Sequence, residues 1–423
     1  MRLKLEVLII FLFILAFQAY AEELQMTLDE AIAVGLRDNI DVLLKKEDVI
    51  KAKAKISEAK AALLPSLTAV GTWSNTHGYY NKDVSQTGVE VTLSQTLYNG
   101  GKTINTIKYN HYGVAIAQTL LDKEKLNLIY DIKKAYYTLM LSLEFAELNK
   151  DIMENTKAHL ESLLERYKSG EASQSDILDV KSSLSSVTEA YEASMNQVEA
   201  VRAELNNLLH LEKDVVLKPS GSFACQPLEL AYDEAFLKAL KSRPEIKQYE
   251  IQEKAAVSAV EIAKAGGRPT ITASWDYYSN SHLVGATGAT KNWNDRSIFG
   301  FVLTWPIFDG FATKAKIEQA VADLKQAKIL NDKASRDIAL DVKKAYLDLK
   351  NALAKMRSVE SDIELYKDKV SVVEGQYKAG IASMLDLDDA SLAYKVSLFN
   401  QKEVAYDYIR FKANFERATG GPQ

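Results

Sequence analysis

The stretch Ile132-Lys133-Lys134-Ala135-Tyr136 returns 210 positions later as Val342-Lys343-Lys344-Ala345-Tyr346, and Tyr167-Lys168-Ser169-Gly170-Glu171-Ala172-Ser173 returns at the same offset as Tyr377-Lys378-Ala379-Gly380-Ile381-Ala382-Ser383. The chain is one unit written twice. Upstream the echo continues at an offset of 204, with Leu28-Asp29-Glu30-Ala31 matching Tyr232-Asp233-Glu234-Ala235 and Leu64-Pro65 matching Arg268-Pro269. The second copy has therefore gained six residues between Pro269 and Phe301. Such a period is far longer than a solenoid repeat of about 20 to 50 residues, and it reads as two fused half-molecules in a pseudo-twofold relation. The halves occupy 22–211 and 232–423, with a linker at 212–231.

Arg2 and Lys4 precede an apolar run from Val7 to Phe17, and Ala19-Tyr20-Ala21 follows with small residues where a signal peptidase reads. Residues 1–21 thus read as a secretory signal peptide. The run is too short for a spanning helix, which needs about 20 apolar residues, and no other stretch comes closer. Membrane insertion of the mature chain has to be by β-strands. The formal charge of -5 gives no basic surface for nucleic acid. Cys225 is the single cysteine, so no intramolecular disulfide forms; in a Pro-flanked linker it reads as a free, inert thiol.

From Lys102 to Lys168 there is no proline and one glycine, Gly113, and from Ala312 to Lys378 again none and one, Gly375. Each stretch reads as one helix about 100 Å long at 1.5 Å per residue. Ile129, Ile132, Tyr136, Leu139, Leu143 and Ala146 are spaced alternately three and four apart, and Ala339, Val342, Tyr346, Leu349, Leu353 and Met356 repeat the spacing. These are coiled-coil seams. Each long helix stops at Tyr-Lys-x-Gly, where Gly170 or Gly380 takes the left-handed position. A return helix then starts at Ser173 or Ser383, with Asp176 or Asp386 as the acidic third residue of a capping box. The return helices run over about 173–210 and 383–419, and shorter helices at about 39–63 and 244–265 have the length to stack on them.

Between short and long helices lie alternating segments, hairpins at about 66–98 and 270–308. Ser66, Thr68, Thr72 and Ser74 alternate with Leu67, Ala69, Gly71 and Trp73; Glu90, Thr92, Ser94 and Thr96 alternate with Val89, Val91, Leu93, Gln95 and Leu97. The second copy sets Thr270, Thr272, Ser274 and Asp276 against Ile271, Ala273, Trp275 and Tyr277, then places Phe299, Phe301, Leu303, Trp305 and Ile307 on one face. This is the dyad pattern of a transmembrane barrel. Export, the aromatics Trp73, Trp275, Tyr277, Tyr278 and Trp305 expected near strand ends, and one hairpin per half favour it over a soluble hairpin. Four strands cannot close a barrel, and open edges are not tolerated in lipid. The barrel must be shared: two chains give eight strands around a filled interior, three give twelve around a passage.

The signal peptide, fused halves, paired hairpins, long helices and Tyr-x-x-Gly-x-x-Ser-x-x-Asp turns together resemble the TolC-like outer-membrane efflux protein family over essentially the whole mature chain. Leu97-Tyr98-Asn99-Gly100-Gly101 and Ile307-Phe308-Asp309-Gly310 are similar to its strand-to-helix junction. The resemblance implies a mainly α fold with a small β part. Long antiparallel coiled-coil helices would form an α-barrel, and two β-hairpins would form part of a trimeric 12-stranded transmembrane β-barrel. It implies a homotrimer in outer-membrane lipid with a long periplasmic extension, acting as the exit duct of a tripartite efflux or type I secretion system. The implied partners are a periplasmic adaptor (membrane fusion) protein and an inner-membrane pump or ABC transporter. The family's periplasmic gate matches Asp386 and Asp389, echoed by Asp176 and Asp179. The turn tips Tyr167, Gly170, Ser173, Tyr377, Gly380 and Ser383 are the adaptor-docking candidates. An Arg that many members use to latch the closed state is Ala382 here. The alternative architecture is a periplasmic coiled-coil scaffold or adaptor with soluble hairpins and no membrane barrel.

Catalytic and cofactor chemistry finds no footing. Gly101-Lys102-Thr103 resembles the end of a phosphate-binding loop, but that pattern requires glycine where Thr96 stands. His77, His111, His159, His210 and His282 have no metal-ligand spacing, and His77 and His282 read as loop residues of the two hairpins. No Gly-x-Ser-x-Gly is present. The expectation is a non-enzymatic protein with no catalytic, cofactor or metal residues. For Asp176 and Asp386 the plain role of a helix cap stands beside the gate, because a carboxylate in a first turn is favoured by the helix dipole.

Overall fold

The computed structural model describes residues 23–79, 82–212, 215–223, 231–284 and 293–421. The expected signal peptide and Cys225 lie outside them. In chain order the elements are β1 (Glu23–Met26), α1 (Leu28–Asp38), α2 (Ile40–Ala61), β2 (Ser66–Tyr79), β3 (Lys82–Asn99), α3 (Lys102–Lys168), α4 (Gln174–Leu209), β4 (Val216–Pro219), α5 (Tyr232–Ser242), α6 (Pro244–Ala265), β5 (Thr270–Val284), β6 (Trp293–Thr304), α7 (Ala312–Lys378) and α8 (Met384–Ala418). The fold is mainly α with a small β part. Among the described residues no helix is long and apolar enough to cross a membrane.

Each half carries two short helices where the apolar pattern suggests one. The break between α1 and α2 is Asn39, an extended residue whose Oδ1 accepts from the backbone N–H of Asp41 and Val42 at 3.0 and 3.2 Å. Its Nδ2 donates to the Leu208 carbonyl at 3.0 Å. One side chain thus ends a helix, caps the next and ties both to α4. In the second half the break is Arg243, held out of the α region by Pro244, which opens α6 where its missing N–H costs nothing.

The chain forms two compact units, one from the described parts of Met1–Leu43, Glu124–Arg243 and Ile338–Gln423, the other from Leu44–Lys123 and Pro244–Asp337. The first is helical around a small parallel pair, β1 with β4, Leu24 opposite Leu217. Four-residue strands are too short for alternation to reveal them, and β4 falls within the expected linker. Ile132, Tyr136 and Leu139 of α3 are buried with Val198, Val201, Leu205 and Leu209 of α4 and Leu217 of β4. Tyr136 joins seam to pair: its hydroxyl lies 2.8 Å from the carbonyls of Met26 and Ser220 and accepts from the Ser220 N–H at 3.0 Å. The second-half counterpart, Tyr346, packs edge-on to Tyr232 instead, with ring centroids 6.0 Å apart.

The second unit holds one antiparallel sheet in the order β2-β3-β5-β6. Both hairpins share a register, Ser66 opposite Ser94 and Thr270 opposite Thr304. A bulge at Leu97 interrupts the seam between them, where pairing passes from Thr96–Thr272 to Tyr98–Ile271. β6 ends at Thr304 because its partner β5 begins at Thr270, so Trp305 and Ile307 lie beyond the strand. His77 and His282 fall within β2 and β5, not in hairpin loops, because both strands run longer than the alternating core.

Tyr136→Phe should keep the ring packed while leaving the carbonyls of Met26 and Ser220 and the Ser220 N–H without that partner. The expected cost is about 1 to 3 kcal/mol, read as a lower midpoint in denaturant unfolding of the detergent-solubilised protein. An unchanged midpoint would show that the β1–β4 pair does not depend on this hydroxyl.

Candidate functional site

The sheet has two chemically distinct faces. Leu67, Leu93, Trp275 and Phe299 form one cross-strand row and Ala69, Val91, Tyr277 and Ser297 the next. Trp73 and Phe299 on this face are 72% and 66% exposed. Single exposed hydrophobics are ordinary, but a continuous apolar face marks a surface meant for a non-aqueous neighbour. On the other face Ser66, Ser94, Ser274 and Gly300 form a row, and Thr68, Thr92, Asp276 and Ile298 the next. Here Thr92 donates to Asp276 at 2.8 Å, Ser274 to the same carboxylate at 3.0 Å, and the hydroxyls of Ser66 and Ser94 meet at 2.8 Å. The Arg296 guanidinium lies 4.8 Å over the Tyr278 ring.

The strands contain 14, 18, 15 and 12 residues, enough to cross a bilayer when tilted, for which about 9 to 11 suffice. Trp73, Tyr277 and Tyr278 sit well inside their strands and not at the ends, again because the strands outrun the apolar alternation. β2 and β6 terminate the sheet, so each has a neighbour on one side only.

The turns after α3 and α7 are built alike. The N–H of Gly170 donates to the Tyr167 carbonyl at 3.1 Å and that of Glu171 to the Arg166 carbonyl at 2.8 Å; Gly380 and Ile381 donate to Tyr377 and Gln376 at 2.9 Å each. This paired closure needs a left-handed residue, and Gly170 and Gly380 stand at φ 81° and 71°. Ser173 and Ser383 then cap α4 and α8. Their hydroxyls accept from the N–H of Asp176 and Asp386, both at 3.2 Å, and the carboxylates accept in return from the Ser N–H at 2.9 and 2.8 Å. Asp386 also accepts from the Ser383 hydroxyl at 2.7 Å.

These bonds hold both carboxyls below their usual 3.8, Asp386 chiefly through the Ser383 side chain and Asp176 chiefly through the Ser173 backbone. Asp176 and Asp386 are therefore committed to the caps. Asp179 and Asp389 are exposed one turn further on and take no part in them. Glu171 of the first turn stands where the second has Ile381, and where the first has Leu178 the second has a half-buried Asp388 beside Asp389. The run Asp386-Leu387-Asp388-Asp389 was the signal for it. Tyr167 and Tyr377 are exposed, and Ala382 is half-buried. Among the described residues no cluster of His, Cys, Asp or Glu is arranged to hold a metal ion.

An antiparallel sheet with one lipid-type face, one water-type face and two unpaired edges, continuous in sequence with long helices, defines the protomer of a membrane-barrel protein with a helical extension. The model of the outer membrane efflux protein family matches residues 34–209 and 237–421, and the chain belongs to that family. It is 24% identical over 415 residues to the alkaline protease secretion protein AprF of Pseudomonas aeruginosa, covering 90% of this chain and 83% of that one. To the outer membrane protein TolC of Escherichia coli it is 20% identical over 392 residues, covering 86% and 76%. The Campylobacter jejuni CmeC outer membrane channel superposes with a TM-score of 0.76 at 17% identity, over 93% of this chain and 85% of that one. The protein is thus an outer-membrane channel protein and not an enzyme.

Because the folded carboxyls titrate below the unfolded value, the caps contribute stability that is present above about pH 3.8 and is lost as pH falls through the lower folded values. Hydrogen exchange, corrected for intrinsic rates, should show the first turns of α4 and α8 opening together as pH drops from about 5 to about 3. Ser383→Ala should produce the α8 opening already at about pH 7, at a cost of about 1 kcal/mol. Protection that does not change across this range would mean the caps do not hold the turns.

Proposed function

We propose that three copies of the chain form an outer-membrane exit duct that couples an inner-membrane pump and a periplasmic adaptor to the exterior. The observation that carries this reading is the two-faced four-stranded sheet with unpaired edges at β2 and β6. In lipid an open edge leaves backbone groups without partners at several kcal/mol apiece, so the edges must meet edges of other copies. Three copies supply twelve strands, enough for a passage lined by the Ser, Thr, Asp and Arg face, whereas two would supply eight around a filled interior. Membership of the efflux family supports the coupling to a pump and an adaptor, and the AprF relative is by name a secretion protein, so cargo follows the pump. The exposed turns at Tyr167–Ser173 and Tyr377–Ser383 are the docking surface, and Asp179 and Asp389, with Asp176 and Asp386 beside them, ring the periplasmic mouth. Without an arginine at Ala382 the closed state needs another latch.

Light scattering of the detergent-extracted protein should give a trimer mass, and a monomer would overturn the reading. Within the barrel, Val91→Arg or Phe301→Arg should impair assembly by about 2 to 4 kcal/mol near the bilayer midplane, and Thr92→Arg much less. Equal tolerance at the three positions would remove the sheet from the membrane.

The gate is tested by single-channel recording. Asp389→Asn should lower the cation-to-anion permeability ratio and weaken block by multivalent cations, as expected for a charged ring. An unchanged ratio in the Asp386→Ala, Asp389→Ala double variant would cancel the gate assignment and leave the duct standing.

A further inference from the structure

The two hairpins are copies, so the seam inside the chain is a template for the seam between chains. Offsets of 204 for the first strand of each hairpin and 210 for the second convert the pair Ser66–Ser94 into Thr270–Thr304, and both pairs are present. The internal seam joins the second strand of one hairpin, β3, to the first strand of the other, β5, with Ser94 opposite Ser274 and Val91 opposite Tyr277. Moving β3 forward by 210 and β5 back by 204 turns that seam into β6 against β2, the two strands with a free edge.

Burial shows the same relation. At the β3–α3 junction Gly100 and Thr103 are buried, and the α6–β5 turn packs on Gly100 through Ala265 and Arg268. Arg268 Nη1 donates to the Gly100 carbonyl at 2.7 Å, and a Cβ placed on Gly100 would stand 2.6 Å from the Arg268 Cβ. The copy of this junction, Asp309-Gly310-Phe311, is exposed, and a Cβ on Gly310 would meet nothing within 4 Å. The copy of the covering turn is exposed too, with Leu64, in the place of Arg268, 67% accessible.

Each half of the chain therefore exposes what the other half would cover. The exposed halves also match in chemistry. Phe308 and Phe311, 75% and 68% exposed, stack edge-to-face with centroids 5.5 Å apart, and the turn that would reach them carries Leu63 and Leu64. Phe311 holds a left-handed φ of 66° where the first copy has Gly101, a conformation that favours glycine. The aromatic ring is kept there in spite of the backbone.

We infer that β6 of one copy pairs antiparallel with β2 of the next in the internal register, Thr304 opposite Val70 and Phe301 opposite Trp73, while the neighbour's Leu63-Leu64-Pro65 turn covers the Phe308–Phe311 junction. The inference rests on the oligomeric duct proposed above and adds its register and its contact residues. The same shift carries the Tyr98–Ile271 pair to Phe308 opposite Leu67 of the neighbour. Strand lengths agree: Tyr79, the last residue of β2, falls opposite Asp295, near the start of β6 at Trp293.

Directly opposed antiparallel residues have Cα atoms about 4.5 to 5.5 Å apart, within the range a disulfide spans, whereas a shift of two residues moves them beyond it. In a Cys225→Ser background, Thr304→Cys with Val70→Cys and, separately, Phe308→Cys with Leu67→Cys should give covalent oligomers on oxidation with copper phenanthroline. The shifted pairs, Thr304→Cys with Thr68→Cys or Thr72→Cys, should cross-link at least tenfold less. The two in-register pairs lie on opposite faces of the sheet, so a variant lost to misassembly leaves the other to report. Stronger cross-linking of a shifted pair, or none at any pair in protein that light scattering shows to be oligomeric, overturns the register and leaves the duct intact. Loss of only the Phe308–Leu67 product would place lipid, not a neighbour, on the junction and overturn that part of the inference. A monomeric background protein would instead overturn the duct, and the seam with it.

Discussion

Unpaired backbone at β2 and β6 is the constraint on which the rest depends. A four-stranded sheet of this length could stop at its edges in water, using charges or proline to deter further pairing. Here the edge strands carry Leu67, Trp73, Phe299 and Phe301 on their apolar face. That choice of residues makes water the wrong solvent for the face, and once the face is in lipid the edges cannot be left open. In the proposed duct, oligomerisation then follows from hydrogen bonding and not from an added interface. A periplasmic scaffold with soluble hairpins would leave this face without an occupant.

Duplication supplies the parts and divergence assigns them. The junction signature is kept in both copies, with Asn99 Oδ1 accepting from the Thr103 N–H at 3.2 Å and Asp309 Oδ2 from that of Thr313 at 2.8 Å. Around that shared core the two junctions differ in the direction their surroundings require. Arg268 bonds to its own chain across the internal seam, while the matching Leu64 offers apolar surface. Away from the sheet, Tyr136 holds the β1–β4 pair, and Tyr346 at the same repeat position faces Tyr232. The parallel pair belongs to the first half, and among the described residues no second such pair stands beside Tyr346.

Features written in local chemistry were legible in the sequence, and features that depend on long-range pairing were not. Gly170 by itself would mean little, but Tyr-Lys-x-Gly followed by Ser-x-x-Asp specifies a left-handed stop and a reciprocal cap, and the hydrogen bonds at Gly170, Ser173 and Asp176 realise both. Strand alternation was visible because period two survives over most of each strand. By contrast β1 and β4 are four residues each and form only because Glu23–Met26 meets a segment nearly two hundred positions away. The start of α2 near Asn39 was legible, but the bond from its side chain to the Leu208 carbonyl was not, because it joins residues far apart in the chain. The end of β6 at Thr304 was set by where β5 begins, which no residue of β6 encodes.

The acidic turns show how a structural role narrows a functional one. Four aspartates at matched positions invite a single interpretation as a charged ring, but the caps divide them. A carboxylate that accepts two hydrogen bonds from Ser383 is fixed in direction and has part of its charge neutralised by the helix N-terminus it serves. It is poorly placed to respond to an ion in a passage. Asp389 is exposed and outside the cap, with Asp388 beside it, whereas the third acid of the first turn, Glu171, stands before the cap where the second turn has Ile381. The first turn exposes Leu178 beside Glu171 and Asp179, and the second exposes Ile381 and Met384 beside Asp389, so each turn joins acidic to apolar surface in a different arrangement.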